Sequence, residues 1–265
     1  MRTRLLFLFL SLFVSSNFAQ WVVQTSGSTD RIRIIDPVSA TVVWACGNAG
    51  KVYRTTDGGT TWTNSVTLST AINYGLDAID ANTAWVTGTV GGSADVSIWK
   101  TTDAGATWVS QYNNPASFGD GVKFFNANDG VYYGDPDPYP STNWELLTTS
   151  NGGTTWTRVP RANFPGADSA NGEFGAAGSM AIAGNSVWFS AYSGAAGTPN
   201  RIYRSTNKGL NWSVASITNA TGTSGSNYVA FENEQRGVMV SLDGTTARTT
   251  DGGATWVNTV VTGAV

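Results

Sequence analysis

TTDGGTTW, Thr55 to Trp62, returns four more times with small changes: TTDAGATW at Thr101–Trp108, TSNGGTTW at Thr149–Trp156, STNKGLNW at Ser205–Trp212 and TTDGGATW at Thr249–Trp256. The acid or amide of each copy is Asp57, Asp103, Asn151, Asn207 or Asp251, so the spacings are 46, 48, 56 and 44 residues. A period near 48 residues points to a solenoid, an array or a propeller. Three further columns hold in all five copies: Thr55, Thr101, Thr149, Ser205 and Thr249; Gly59, Gly105, Gly153, Gly209 and Gly253; and Trp62, Trp108, Trp156, Trp212 and Trp256. The residue types describe a rigid hairpin loop. Hydroxyl and Asx side chains accept local backbone N–H bonds, Gly takes angles that a Cβ penalises, and Trp buries a large ring.

A second pattern precedes each copy. VVWACG, AWVTG, GVYYG, SVWFSA and GVMVS align Trp44, Trp85, Val131, Trp188 and Val238. Such short runs rich in Val, Trp and Tyr read as strands, and no window past the leader has a helical period. Each unit parses as four strands A to D, the octapeptide turning C into D. The expected fold is therefore all-β: a propeller of four-stranded antiparallel blades, about five of them, in which neighbours supply one another's core. WVVQ at Trp21 sits in the register of a D strand, giving a lone N-terminal outer strand. An open ring, a five-bladed ring and part of a larger ring all stay open, the last being preferred.

Composition narrows the chemistry. The chain of 265 residues has no His and one Cys, with a net charge of −3. Imidazole catalysis, His-ligated zinc, thiolate clusters and a disulfide framework are thereby excluded. Cys46, in VVWACG, reads as a small core residue. The charge balance speaks against nucleic acid and anionic membranes. Residues 1–19 join a basic start, an apolar run from Leu5 to Val14 too short to span a bilayer, and a small-residue end at Ala19. They read as a secretory signal peptide, placing the protein in the periplasm, at the cell surface or outside the cell. Residues 20–265 form the propeller, with units ending near 66, 113, 160, 217 and 265.

The octapeptide resembles the BNR repeat, or Asp-box, of sialidases, xyloglucanases and sortilin-type receptors. With WVVQ, the Gly-flanked B strands, GVYYGDP at Gly130–Pro136 and NGEFGAAGS at Asn171–Ser179, the chain is most similar to the propeller family of photosystem II assembly and stability factors, over nearly all of residues 20–265. The resemblance implies that the octapeptides are structural and that the ring has seven blades, against five units here. It also carries the third functional reading, a photosystem II assembly factor.

Strand parity locates the function. In an up-and-down blade the A–B and C–D turns share one face, and the B–C and D–A loops share the other. The octapeptides thus lie opposite the loops most free to vary. Two of those loops are long, DPDPYPSTNWE at Asp135–Glu145 and RANFPGADSANGEFG at Arg161–Gly175, and they are expected to meet on one rim, where recognition residues tend to sit. Asp135, Asp137, Tyr139, Trp144, Asp168 and Glu173 are the ligand-binding candidates. The bland reading of each is turn geometry or solubility. Arg54, Lys100, Arg204 and Arg248 recur three residues before the Asx position, so repetition makes them structural or solvating. No catalytic residue, cofactor or metal is expected; Asp135-Pro136-Asp137 lacks calcium-loop spacing. The favoured function is an exported non-catalytic module that binds or assembles a protein or cell-surface glycan. A glycoside hydrolase is the alternative, with Asp168 and Glu173 as the pair to test. DRIRIID carries Arg where a sialidase element has Pro.

Overall fold

Five separate sheets, each of four antiparallel strands in sequential order, follow one another along the chain in the computed structural model. Blade one comprises β1 (Ile32–Pro37), β2 (Val43–Gly47), β3 (Val52–Thr55) and β4 (Thr63–Asn64). Blade two comprises β5 (Ile72–Ala78), β6 (Ala84–Thr89), β7 (Val96–Thr101) and β8 (Val109–Asn114). Blade three holds β9 (Gly119–Phe124), β10 (Gly130–Pro136), β11 (Trp144–Thr149) and β12 (Thr157–Arg158). Blade four holds β13 (Glu173–Ala183), β14 (Ser186–Ser193), β15 (Pro199–Ser205) and β16 (Ser213–Thr221). Blade five holds β17 (Asn227–Phe231), β18 (Gly237–Ser241), β19 (Thr246–Thr249) and β20 (Val257–Thr259). The structure describes residues 23–64, 68, 72–89, 96–195, 197–221, 227–242 and 244–259. Residues 1–22, which include the expected leader at 1–19 and Trp21 of the expected leading strand, lie outside these. Val23 and Gln24, the end of the expected leading strand, are not part of a sheet.

The octapeptide turn is built the same way five times. In blade one the Thr55 hydroxyl accepts from Gly59 N at 2.9 Å and donates to Asp57 Oδ1 at 2.8 Å, while Asp57 accepts from Thr61 N at 2.9 Å. Ser205 and Asn207 make the corresponding bonds in blade four. The last glycine of each copy has φ between +85° and +91°, a region closed to a side chain at ordinary cost. Acceptance from the Thr61 N–H, then from its hydroxyl, holds the Asp57 carboxyl down to about 2 from 3.8. Because the folded value lies below the unfolded one, this contribution is present above about pH 4 and is lost as pH falls toward 2. Asn151 bonds Thr155 through both its oxygen and its nitrogen, so Asp57→Asn should keep the turn, match wild type at neutral pH and lose less at pH 3. Asp57→Ala should lower the melting temperature at both. Scanning calorimetry at the two pH values checks this.

Neighbouring blades are joined through one repeated row of side chains. Strand register aligns Asp36–Trp44–Arg54 across blade one, Asp77–Trp85–Lys100 across blade two and Lys123–Val131–Thr148 across blade three. Ala181–Trp188–Arg204 follows in blade four, and Ala230–Val238–Arg248 in blade five. Each of the first four rows faces the next blade's octapeptide. Trp85 Nε1 and Lys100 Nζ both donate to Gly152 O, at 3.2 and 2.9 Å. Trp188 Nε1 donates to Gly252 O at 2.7 Å, and Arg204 to Asp251 O at 3.2 Å. Val131 and Thr148 pack on Gly209 where a Cβ would go. In blade one Trp44 meets the edge of Trp108, with ring centres 6.3 Å apart.

Aromatic stacking completes each seam. Trp85 lies flat on Phe124 at 3.6 Å, and Phe124 in turn meets the edge of Trp156. Trp188, Phe231 and Trp256 repeat the arrangement two blades later. The octapeptide indoles are thus half-buried or, for Trp212, buried. Near the axis, Lys123 Nζ bonds Asp77 Oδ1 at 2.7 Å and approaches Asp36 Oδ1 at 3.5 Å, tying three blades together. The same carboxylates also accept from Phe124 N and Ala78 N.

Candidate ligand-binding site

A cavity of about 480 Å³ opens where the A strands begin and the B strands end, the face opposite the octapeptides. All five blades line it. Blade one contributes Arg31 to Ile34, blade two Tyr74, blade three Phe118, Asp120 and Asp135, blade four Phe174 and Tyr192, and blade five Tyr228 and Leu242. The rings form pairs along the wall: Tyr74 with Phe118 at 4.8 Å, and Phe174 with Tyr192 at 4.1 Å. Arg33 is held in place, its Nε 2.9 Å from Asn48 Oδ1 and its guanidinium 5.0 Å above the Tyr74 ring.

Two carboxyls share one pocket of the wall. Asp120, on β9, is only 1 % exposed, and no N–H or hydroxyl donor reaches its Oδ2. Its neighbour is the Asp135 carboxyl, close enough for the two to share a proton when either is protonated. Asp135 Oδ1 also accepts from Gly175 N at 2.8 Å, and a Cβ on Gly175 would run into the Asp120 carboxylate. Burial first, and the Asp135 charge second, push Asp120 well above the ordinary carboxyl range. Burial raises Asp135 to about 6.

Both folded values exceed the unfolded one, so the folded chain holds protons that the unfolded chain releases. The stability this gives is complete below about pH 4 and declines as pH rises through 6. In Asp120→Asn an amide N–H can replace the shared proton. Denaturant unfolding at about pH 5 and pH 7.5 should show a smaller loss of stability on raising the pH in the variant than in wild type.

The two long loops meet on this rim as their positions predict. Tyr139, half exposed, points its hydroxyl at Gly172 O, 3.5 Å away, and its ring meets the edge of Phe174. Ala167 N donates to Thr142 O at 3.2 Å. Of the six candidates from sequence, Asp135 lines the cavity and Tyr139 stands at its edge. Asp137 accepts from Asn114 at 3.1 Å and Arg158 at 3.4 Å. Trp144 begins β11 and is buried against Phe189 and Tyr203. Asp168 accepts from Asn171 N and Nδ2, closing a short 3-10 turn at Ser169–Asn171. Glu173 is buried in an ion pair with Arg201, which also bonds it through Nε at 2.7 Å, and accepts from Tyr203 at 3.1 Å and Asp168 N at 2.7 Å. Four of the six therefore serve the scaffold of the loops.

Sequence reasoning did not single out Asp120, Phe118, Phe174, Tyr192, Tyr74 or Tyr228. One signal was available: each lies within four residues of an A-strand start or a B-strand end, the positions that converge on a propeller axis. Among the described residues no three His, Cys, Asp or Glu side chains group as metal ligands.

No family model matches the chain, and no curated protein matches it. Solved structures do. YCF48 bound to D1 peptide is 16 % identical with a TM-score of 0.58, covering 86 % of this chain and 68 % of its own. The GH74 enzyme of Niastella koreensis is 15 % identical with a TM-score of 0.60, and the match covers 86 % of this chain but 38 % of the enzyme. YCF48 from Cyanidioschyzon merolae is 16 % identical with a TM-score of 0.52, covering 87 % of this chain and 85 % of its own. At such identities the likeness is one of fold: an all-β propeller, here of five four-stranded blades, similar in fold to YCF48 and to GH74 enzymes.

Proposed function

We propose that this chain is an exported, non-catalytic binding module whose axial cavity takes a segment of a partner protein or of a cell-surface glycan. The observation that carries the reading is the cavity itself, about 480 Å³, walled by paired Tyr and Phe rings from several blades. Concave sites lined by aromatic groups with a few fixed polar ones suit such ligands. The Asp-box resemblance of the octapeptides supports a purely structural role for them, and the leader at residues 1–19 supports export. One structural neighbour is bound to a peptide, which favours a protein segment over a glycan.

Hydrolysis is the weaker reading. It needs two carboxyls about 5 to 10 Å apart. Asp120 and Asp135 lie close enough to share a proton, and Asp168 and Glu173 are engaged by Asn171 and Arg201. The narrowest reading, a photosystem II assembly factor, rests on the family resemblance and on the YCF48 neighbours.

The test is a binding screen of purified chain against a peptide array that includes D1 segments and against a glycan array. Hits should weaken at least tenfold in Phe174→Ala and Tyr192→Ala and persist in Thr154→Ala, which alters an octapeptide. Hits lost only in Thr154→Ala would contradict the proposal, and turnover of xyloglucan would favour the hydrolase.

A further inference from the structure

We propose that the axial cavity, on the reading above that it is the binding site, grips a basic side chain of a partner protein's segment, the ammonium of a Lys or the guanidinium of an Arg. Among the described residues four carboxyls are buried: Asp77, Asp120, Glu145 and Glu173. Three have a cation of the chain itself beside them, Lys123 for Asp77, Arg158 for Glu145 and Arg201 for Glu173. Asp120 has none among the described residues, and no donor reaches its Oδ2. Of the four, it is Asp120 that lines the cavity, next to Asp135. A buried carboxylate needs a counter-charge or a proton. The fold supplies that counter-charge at the three carboxyls packed into the scaffold and leaves it out at the one that faces an open space.

The wall around the pair suits a cation. Asp135 is partly exposed, so it is the member that an entering group meets first, with Asp120 buried beside it. Phe118 lies two residues before Asp120, and Phe174 adjoins the Gly175 whose N–H fixes Asp135. Both rings line the cavity with their partners Tyr74 and Tyr192, and aromatic faces attract ammonium and guanidinium groups. Blade one brings Arg31 and Arg33 to the same cavity. Arg33 is engaged by Asn48 and the Tyr74 ring, and the charge of neither Arg bears on the pair. An entering basic group donates to Asp135 and takes over from the shared proton, which passes to solvent as Asp120 ionises. The cavity then holds the cation that the chain does not itself provide.

The test uses short peptide pools, capped at both ends and labelled with a neutral dye, with a central Lys, Arg, norleucine or Glu and only uncharged residues elsewhere. Fluorescence polarisation against the purified full chain gives their affinities. The Lys or Arg pool should bind at least about tenfold more tightly than the norleucine pool, as a hydrogen bond to a charged group allows. Asp135→Asn should reduce that preference to about threefold or less, what ring faces alone give a cation, without changing norleucine binding or circular dichroism. Asp120→Asn should reduce it as well. Glu232→Gln removes the same charge at an exposed position and should keep the preference. Norleucine bound as tightly as Lys and Arg would overturn the proposal, and if Phe174→Ala weakened all pools alike the cavity would still be the binding site. A preference that survives Asp135→Asn would overturn it too. Binding of a glycan and of no peptide would overturn it and leave the cavity reading in place, and binding of neither would remove both.

Discussion

Trp188→Ala is expected to lower the unfolding free energy by about 3–5 kcal/mol, the cost of deleting a fully buried aromatic ring and leaving its cavity. The indole has no exposed surface, stacks on Phe231 at 3.6 Å and donates to Gly252 O at 2.7 Å. Removing it strips the seam between blades four and five of its stack and leaves a buried carbonyl one donor short. Val238 occupies the same column one blade later and is half exposed. Val238→Ala should therefore change stability by less than about 0.5 kcal/mol, as surface changes do. Urea unfolding gives both values. Equal costs at the two positions would mean that the row does not carry blade-to-blade packing.

Lys123→Met is expected to cost about 3–5 kcal/mol at pH 7.5, because it leaves buried carboxylates without their cation. Asp77 is the group most affected. Burial raises it to about 6 even with Lys123 beside it, and Lys123 acts in the opposite direction. For Lys123 itself, burial lowers the value, but Asp77 and Asp36 outweigh it and the net shift is upward. Without the ammonium the Asp77 value must climb further. An acid whose folded value is raised destabilises the fold above that value and ceases to do so once protonated. The Lys123→Met deficit should accordingly shrink as pH falls from 7.5 to about 5. Paired urea curves at the two pH values measure it, and a deficit that grows toward pH 5 would contradict the ion network.

The features visible in sequence are those whose causes are local. The five turns could be read because Thr55, Asp57, Gly59 and Trp62 act within eight residues, so each copy carries its whole mechanism on its face. The strands followed from Val, Trp and Tyr runs between such turns. The basic column at Arg54, Lys100, Arg204 and Arg248 was legible as structural from repetition alone. The work of Lys100 and Arg204, which clamp the next blade's carbonyls, was not, since that depends on a neighbour some 50 residues away. The cavity was harder for the same reason. Asp120 stands in GDGVKF with nothing nearby to mark it, and its neighbours Asp135 and Gly175 come from another strand and another blade. Trp144, by contrast, sits in a loop-like stretch, DPDPYPSTNWE, yet begins a strand whose ring faces the core. Proline and acid content predicts exposure on average, and it does not resolve where the loop ends and β11 begins.

Amide hydrogen exchange at the five octapeptide glycines, read by NMR, tests most directly whether these turns are fasteners between blades or open loops. The N–H groups of Gly59, Gly105, Gly153, Gly209 and Gly253 each donate to a Thr or Ser hydroxyl at 2.8 to 3.0 Å. They should exchange as slowly as the amides of the B strands. Exchange at the rate of the exposed loop around Tyr139 in all five copies would contradict the account.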